Sequence, residues 1–167
     1  MKSLTQLNIG FNKLKQVQEK INNFTAQKLG PTVFNFGSKE KAWGLSTNDL
    51  LKFPEGSLGL ALGEFLKKNR LEPIARAESH DVYHVLFDYS ISFKDEIGLQ
   101  FFLRGNGKNS LASFATSIGA WCILPGQWSY LRDSYRRGKK CVDITLLNPK
   151  ALLYEDYHKI KLSLYKY

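Results

Sequence analysis

Cysteine is scarce in this chain. Two occur in 167 residues, Cys122 and Cys141, and they form no CxxC pair. That excludes a disulfide framework and a cysteine-rich zinc cluster, and a reducing compartment is expected. Long apolar runs are missing as well: no stretch reaches the roughly 18 apolar residues that span a bilayer. The nearest candidate, Asn109 to Leu131, carries no charge, but Ser, Thr, Gly and a central Pro125-Gly126 interrupt it. It reads as two helices meeting at that Pro-Gly. The opening Met1-Lys2-Ser3-Leu4-Thr5-Gln6 has no apolar signal core, and few arginines follow, which argues against a secretory or transit peptide. No repeat, low-complexity tract or Pro/Ser-rich linker appears.

What remains is a globular composition, 43% hydrophobic and 13% aromatic, of a length that suits one domain over 1–167. The net charge is +9, from 24 Lys+Arg against 15 Asp+Glu. Such a balance favours an anionic partner, and an anionic membrane surface fits it. The basic residues are dispersed, the densest group being Arg136, Arg137, Lys139 and Lys140. No nucleic-acid-binding pattern accompanies them, so nucleic acid is not expected. A merely solvated basic surface accounts for the charge equally well.

Hydrophobic spacing predicts helices throughout, hence an all-α, single-domain bundle. One is expected over 3–26, stopped at Gly30-Pro31. Ser46 with Asp49 opens a short helix, and Ser57 opens one running to about Lys68. Pro73 starts a helix that includes Ile74 and frays near Tyr89-Ser90. Ser92 caps the next, which ends at Gly105-Asn106-Gly107. Helices follow at about 110–123 and 125–137, with Gly138 as terminator. A last helix begins after Asn148-Pro149, and the alternating tail 159–167 reads as a short strand or extended arm.

Histidine is rare too, and here the rarity is informative. Two of the three lie in His80-Asp81-Val82-Tyr83-His84, and Glu96 follows after eleven intervening residues. His80 and His84 are one helical turn apart and share a face. Asp81 lies about 100° round the helix from His80. With a turn at Ser90-Ile91, Glu96 is as far from the bend as His84, and an antiparallel helix pair would set the two level. Two imidazoles and two carboxylates suit Zn²⁺, with Fe²⁺, Mn²⁺ or Co²⁺ as alternatives. A set without thiolate leaves the metal a strong Lewis acid with room for water or substrate. The competing reading makes these ordinary helix histidines paired with nearby acids. A metalloprotease helix would need Glu where Asp81 stands, and an HD-type phosphohydrolase would need more histidines than three. His158 has no such company and reads as a surface residue.

The motif H-D-x-x-H-x11-E resembles the hallmark of the Coq4 family of ubiquinone-biosynthesis proteins, matching at His80, Asp81, His84 and Glu96. Phe53-Pro54-Glu55-Gly56-Ser57-Leu58-Gly59 resembles that family's turn, Pro73 and Arg76 fall upstream as they do there, and Arg137-Gly138-Lys139 resembles a later signature. The likeness covers roughly 45–155. It departs from the family in the segment Phe87–Asp95, which replaces a glycine-containing turn, and at Tyr157-His158-Lys159, which replaces an arginine pattern. A divergent bacterial member acting on another isoprenoid would show such departures.

The resemblance implies a helical fold, a divalent metal and an apolar groove for a polyprenyl chain. It implies a role in ring modification of a quinone precursor, with oxidative decarboxylation at C1 of a polyprenyl-hydroxybenzoate ring as the proposed chemistry. Arg76 becomes a candidate for the anionic head of the substrate, with a plain salt bridge as its alternative. Phe101, Phe102, Phe114 and Trp121 could line the groove or simply fill a core. The expected setting is cytoplasmic, peripheral to the inner membrane, as a homo-oligomer in contact with other quinone-biosynthesis proteins. Two other readings stay open: a non-catalytic lipid-binding scaffold for such enzymes, and a metal-dependent hydrolase of a small soluble substrate.

Overall fold

The computed structural model describes residues 41–108 and 126–165. Those residues form six α-helices and one 3₁₀ turn: α1 Thr47–Leu50, α2 Leu58–Asn69, α3 Glu78–Phe87, α4 Phe93–Gly105, α5 Trp128–Lys140, the 3₁₀ turn Pro149–Leu152, and α6 Tyr157–Ser163. Among the described residues there is no strand, only isolated bridges at Ser57–Asp156 and Cys141–Tyr165. The expected all-α bundle is what forms. The helices expected over 3–26 and 110–123 lie outside the described residues.

Short polar side chains start most of the helices. Ser46 and Asp49 form a capping box at α1. Ser57 accepts from the Leu60 amide at α2, and Ser92 from the Asp95 amide at α4. α3 starts later than Pro73 suggests. Arg76 adopts a left-handed backbone, φ 70°, which breaks any helix through Ile74. The tail also differs from expectation: Asp156 accepts from the Lys159 amide and opens α6, so 157–163 is helical and only Tyr165 pairs as a bridge.

α4 and α5 make the most extensive helix contact. They run in parallel: Gly98 packs on Tyr130, Gly105 on Tyr135, and Gly138 on Phe102 and Asn106. A Cβ at Gly138 would strike the Phe102 carbonyl, so glycine there allows close approach and does not end the helix, which continues to Lys140. Asn106 closes the far end, donating to the Gly138 and Val142 carbonyls and accepting from the Ile144 amide. α3 lies across this pair. Phe87 meets Phe102, ring centroids 4.2 Å apart, where an antiparallel ladder would set it beside Phe93. α3 and α4 therefore cross, and do not lie flush as a hairpin.

The core gathers leucines of α2, Val82, Leu86 and Phe87 of α3, and Leu99 and Phe102 of α4. Among the described residues no helix is long and apolar enough to cross a membrane.

Candidate metal centre

The crossing of α3 and α4 brings three of the four motif side chains together. His80 Nε2 lies 3.1 Å from Glu96 Oε2, His84 Nε2 lies 3.2 Å from Glu96 Oε1, and the two Nε2 atoms are 3.1 Å apart. One ligand atom from each falls within 4.8 Å of the others. His84 is buried, while His80 and Glu96 keep 16% and 20% of their side-chain surface, so the cluster is open on one side. Asp81 is not in this close group. Its carboxyl is mostly enclosed and feels the charges of His84, Glu96 and Glu78.

The backbone fixes what the histidines offer. His84 Nδ1 lies 3.1 Å from the Tyr89 carbonyl. A carbonyl only accepts, so Nδ1 carries a hydrogen whatever the charge of the ring. Nε2 faces Glu96 and His80: protonated it donates to the Glu96 carboxylate, and deprotonated it offers a lone pair to a metal. This is the arrangement of metal-bound histidines, whose second nitrogen donates to a carbonyl or carboxylate. Phe65 of α2 stacks on the His84 ring, centroids 5.8 Å apart, and holds its plane.

The charges of the cluster are coupled through Glu96. Burial alone would raise the Glu96 carboxyl, but the two imidazoles hold it well below the usual carboxylate range. Burial alone would depress His84, but Glu96 and the Tyr89 carbonyl draw it up. Burial depresses His80 despite its bond to Glu96. Burial also pushes Asp81 up to about 7, helped by Glu96 and Glu78. The metal-free site thus keeps Glu96 ionised and places the compensating proton on His84.

The donor separations test the fit of a metal directly. For bonds of about 2.0–2.1 Å, neighbouring ligands sit about 3.3 Å apart on a tetrahedron and about 3.0 Å apart on an octahedron. The two imidazole Nε2 atoms are 3.1 Å apart, in this range; they face different oxygens of Glu96, at 3.1 and 3.2 Å, and one donor atom from each residue falls within 4.8 Å of the others. Two imidazoles with one carboxylate are the ligands of open zinc sites and of the facial triad of non-haem iron. His80, His84 and Glu96 could therefore hold a divalent ion and leave positions free.

The other expected residues divide. Arg76 lies in the turn before α3 and is exposed. His158 is on the surface, as read. Phe102 is fully buried in the core and Phe101 half-buried, while Phe114 and Trp121 lie outside the described residues. A cavity of about 390 Å³ adjoins His84, with Phe65, Val85 and Tyr157 on its walls and Glu64, Lys68 and Asp88 contributing charge. Tyr89 was invisible to sequence reading, because its service to His84 is a backbone carbonyl. Phe65 carried only the signal of an apolar helix position.

No protein-family model matches the chain, and no curated protein is similar to it. The likeness to the Coq4 family is one of motif and of the order of flanking residues alone.

Proposed function

We propose that this chain binds a divalent metal through His80, His84 and Glu96 and acts on an isoprenoid quinone precursor in the manner of the Coq4 family. Asp81, adjacent in sequence and mostly enclosed, is the candidate fourth ligand. One observation carries the reading. The residues that match H-D-x-x-H-x11-E come from two crossing helices, yet three of them meet at ligand-to-ligand distance.

A bound zinc or iron would supply Lewis acidity or a platform for oxygen chemistry. The chain supplies the rest. Tyr89 and Phe65 hold His84 in one tautomer and one plane. The exposed edge of His80 and Glu96 leaves an approach for a ligand. A cavity lined by His84 and Tyr89, though by neither His80 nor Glu96, flanks the cluster. Arg76, an exposed cation ahead of the motif, is the candidate for an anionic head group. An isoprenoid tail and an anionic membrane surface are the partners that the family likeness and the +9 charge favour.

A second reading, a metal-dependent hydrolase of a soluble substrate, draws on the same two-histidine, one-glutamate set, which hydrolytic zinc sites use.

The deciding experiment measures metal in freshly purified wild type, His84→Ala and Glu96→Ala, with native mass spectrometry of the wild type. About one metal per chain, lost in both variants, together with a co-purified isoprenoid, is expected. Metal unchanged in both variants refutes the centre. Metal without lipid moves the reading to the hydrolase.

A further inference from the structure

The loop that follows α3 is held from three directions. Asp88 there takes a left-handed backbone, φ 58°, a conformation that usually falls to glycine. The Tyr89 amide donates back to the His84 carbonyl, and this reversal brings the Tyr89 carbonyl to the His84 ring. Lys161 of α6 binds the Asp88 carboxylate at 2.6 and 2.7 Å, and Asp95 of α4 accepts from the Ser90 amide. Both of those contacts are exposed. The third is inside: Arg137 of α5 donates to the Phe87 carbonyl at 2.8 Å. Its guanidinium also lies 5.1 Å above the buried Tyr89 ring and 5.9 Å from Phe102.

Arg137 stands in the densest basic group of the sequence, yet it points inward, while Arg136, Lys139 and Lys140 are exposed. A planar cation suits this place. It binds a carbonyl through one edge and covers an aromatic ring with its face, which an ammonium cannot do equally well. The two contacts bracket Asp88, so they fix the strained residue from both sides. Their combined result is the position of the Tyr89 carbonyl.

We propose that Arg137 is a positioning residue for the candidate ligand His84. It holds the Phe87–Tyr89 loop so that the Tyr89 carbonyl keeps the hydrogen of His84 on Nδ1 and its Nε2 free for metal. This deepens the metal reading and rests on it. Groups that orient a ligand histidine from outside the coordination shell typically change metal affinity by about 10–100-fold.

The test compares Arg137→Met, Arg137→Lys and Leu131→Ala with wild type. Leu131 is fully buried on the same helix, in a separate cluster with Ile97, so its truncation costs stability without touching the loop. Three measurements are made: zinc affinity by competition titration, melting temperature, and the ¹⁵N spectrum of His84 in metal-free protein under alkaline conditions, where imidazole is neutral. Arg137→Met is expected to lose zinc affinity about tenfold or more and to show mixed His84 tautomers, with Arg137→Lys recovering part of both. Leu131→Ala is expected to melt lower and bind zinc as wild type does. Wild-type affinity and a single Nδ1–H tautomer in Arg137→Met would overturn the proposal, as would an equal affinity loss in Leu131→Ala. Should Arg137→Met not fold, Arg137→Lys decides by the same spectrum. If wild type takes up no zinc, the metal reading fails, and the metal-free spectra still show whether Arg137 sets the imidazole.

Discussion

Asp95 and Glu96 are adjacent acids in the first turn of α4, and they live differently. Asp95 is met by donors whose hydrogens stay put: the Ser90 amide, the Ser90 hydroxyl and the Tyr130 hydroxyl at 2.6 Å. Burial alone would raise its carboxyl, but the Ser90 and Tyr130 bonds hold it below the ordinary value. Glu96 is met by two imidazole nitrogens, and since the Tyr89 carbonyl keeps one hydrogen of His84 on Nδ1, the hydrogen that His84 Nε2 gives Glu96 is the ring's titratable proton. An acid whose partners carry permanent hydrogens is a structural clamp. An acid whose partners must borrow a proton is a place where a metal can take the proton's role.

The largest expected effect breaks this pair apart. Glu96→Gln keeps the shape and removes the charge, and metal content measured on purified protein should fall from about one per chain to none. Asp95→Asn should retain the metal and instead lower stability by about 1–3 kcal/mol in denaturant titrations, because a hydrogen-bonded charge is lost from a half-buried place. Metal retained in Glu96→Gln, or lost in Asp95→Asn, would erase the distinction.

The next effect lies in pH. In the metal-free protein the folded Asp81 carboxyl sits near 7 against an ordinary 3.8. The folded state therefore holds a proton that the unfolded chain has released, and stability falls as pH rises between those two values. The cost is at most on the order of 4 kcal/mol across the whole window. His84, raised, adds to this fall with pH, and His80, lowered, opposes it. Melting temperatures of metal-free wild type should thus decline from acid to neutral pH, and Asp81→Asn should flatten the decline. A slope unchanged by Asp81→Asn would show that Asp81 is not enclosed as described. If Asp81 is also a ligand, zinc uptake near neutral pH releases its proton, which calorimetry in buffers of different ionisation enthalpy reads directly.

Much of this was legible because it is local. Ser46, Ser57 and Ser92 sit where their hydroxyls meet free helix amides, and a capping side chain acts within three residues. His80 and His84 share a face through helical period alone. What failed was set by distant contacts. Gly138 reads as a terminator, but its missing Cβ is needed by the Phe102 carbonyl on another helix. The half-buried, inward setting of Arg137 depends on α5 lying parallel to α4, which no local pattern encodes. The level pairing of Glu96 with His84 was expected from an antiparallel hairpin, and the contact formed although the helices cross. Asp156 was legible and was passed over, since the alternation after Lys159 suggested a strand while the acid ahead of it capped a helix.

The smallest effect sharpens the comparison most. Tyr130→Phe removes one hydroxyl and leaves the ring that packs on Gly98. The two Ser90 bonds to Asp95 remain, so the loss should be about 1 kcal/mol, the usual worth of one hydrogen bond. Its sign with pH follows from the lowered Asp95 carboxyl. Stability owed to that carboxylate is present above the ordinary 3.8 and disappears as pH falls through the folded value. Without the Tyr130 donor the folded value rises toward the ordinary one, so the difference between variant and wild type should shrink in acid. Zinc affinity should not move, because the hydroxyl serves the clamp and not the cluster one residue away. A Tyr130→Phe protein that bound zinc less tightly would show that the two acids are coupled through the turn they share.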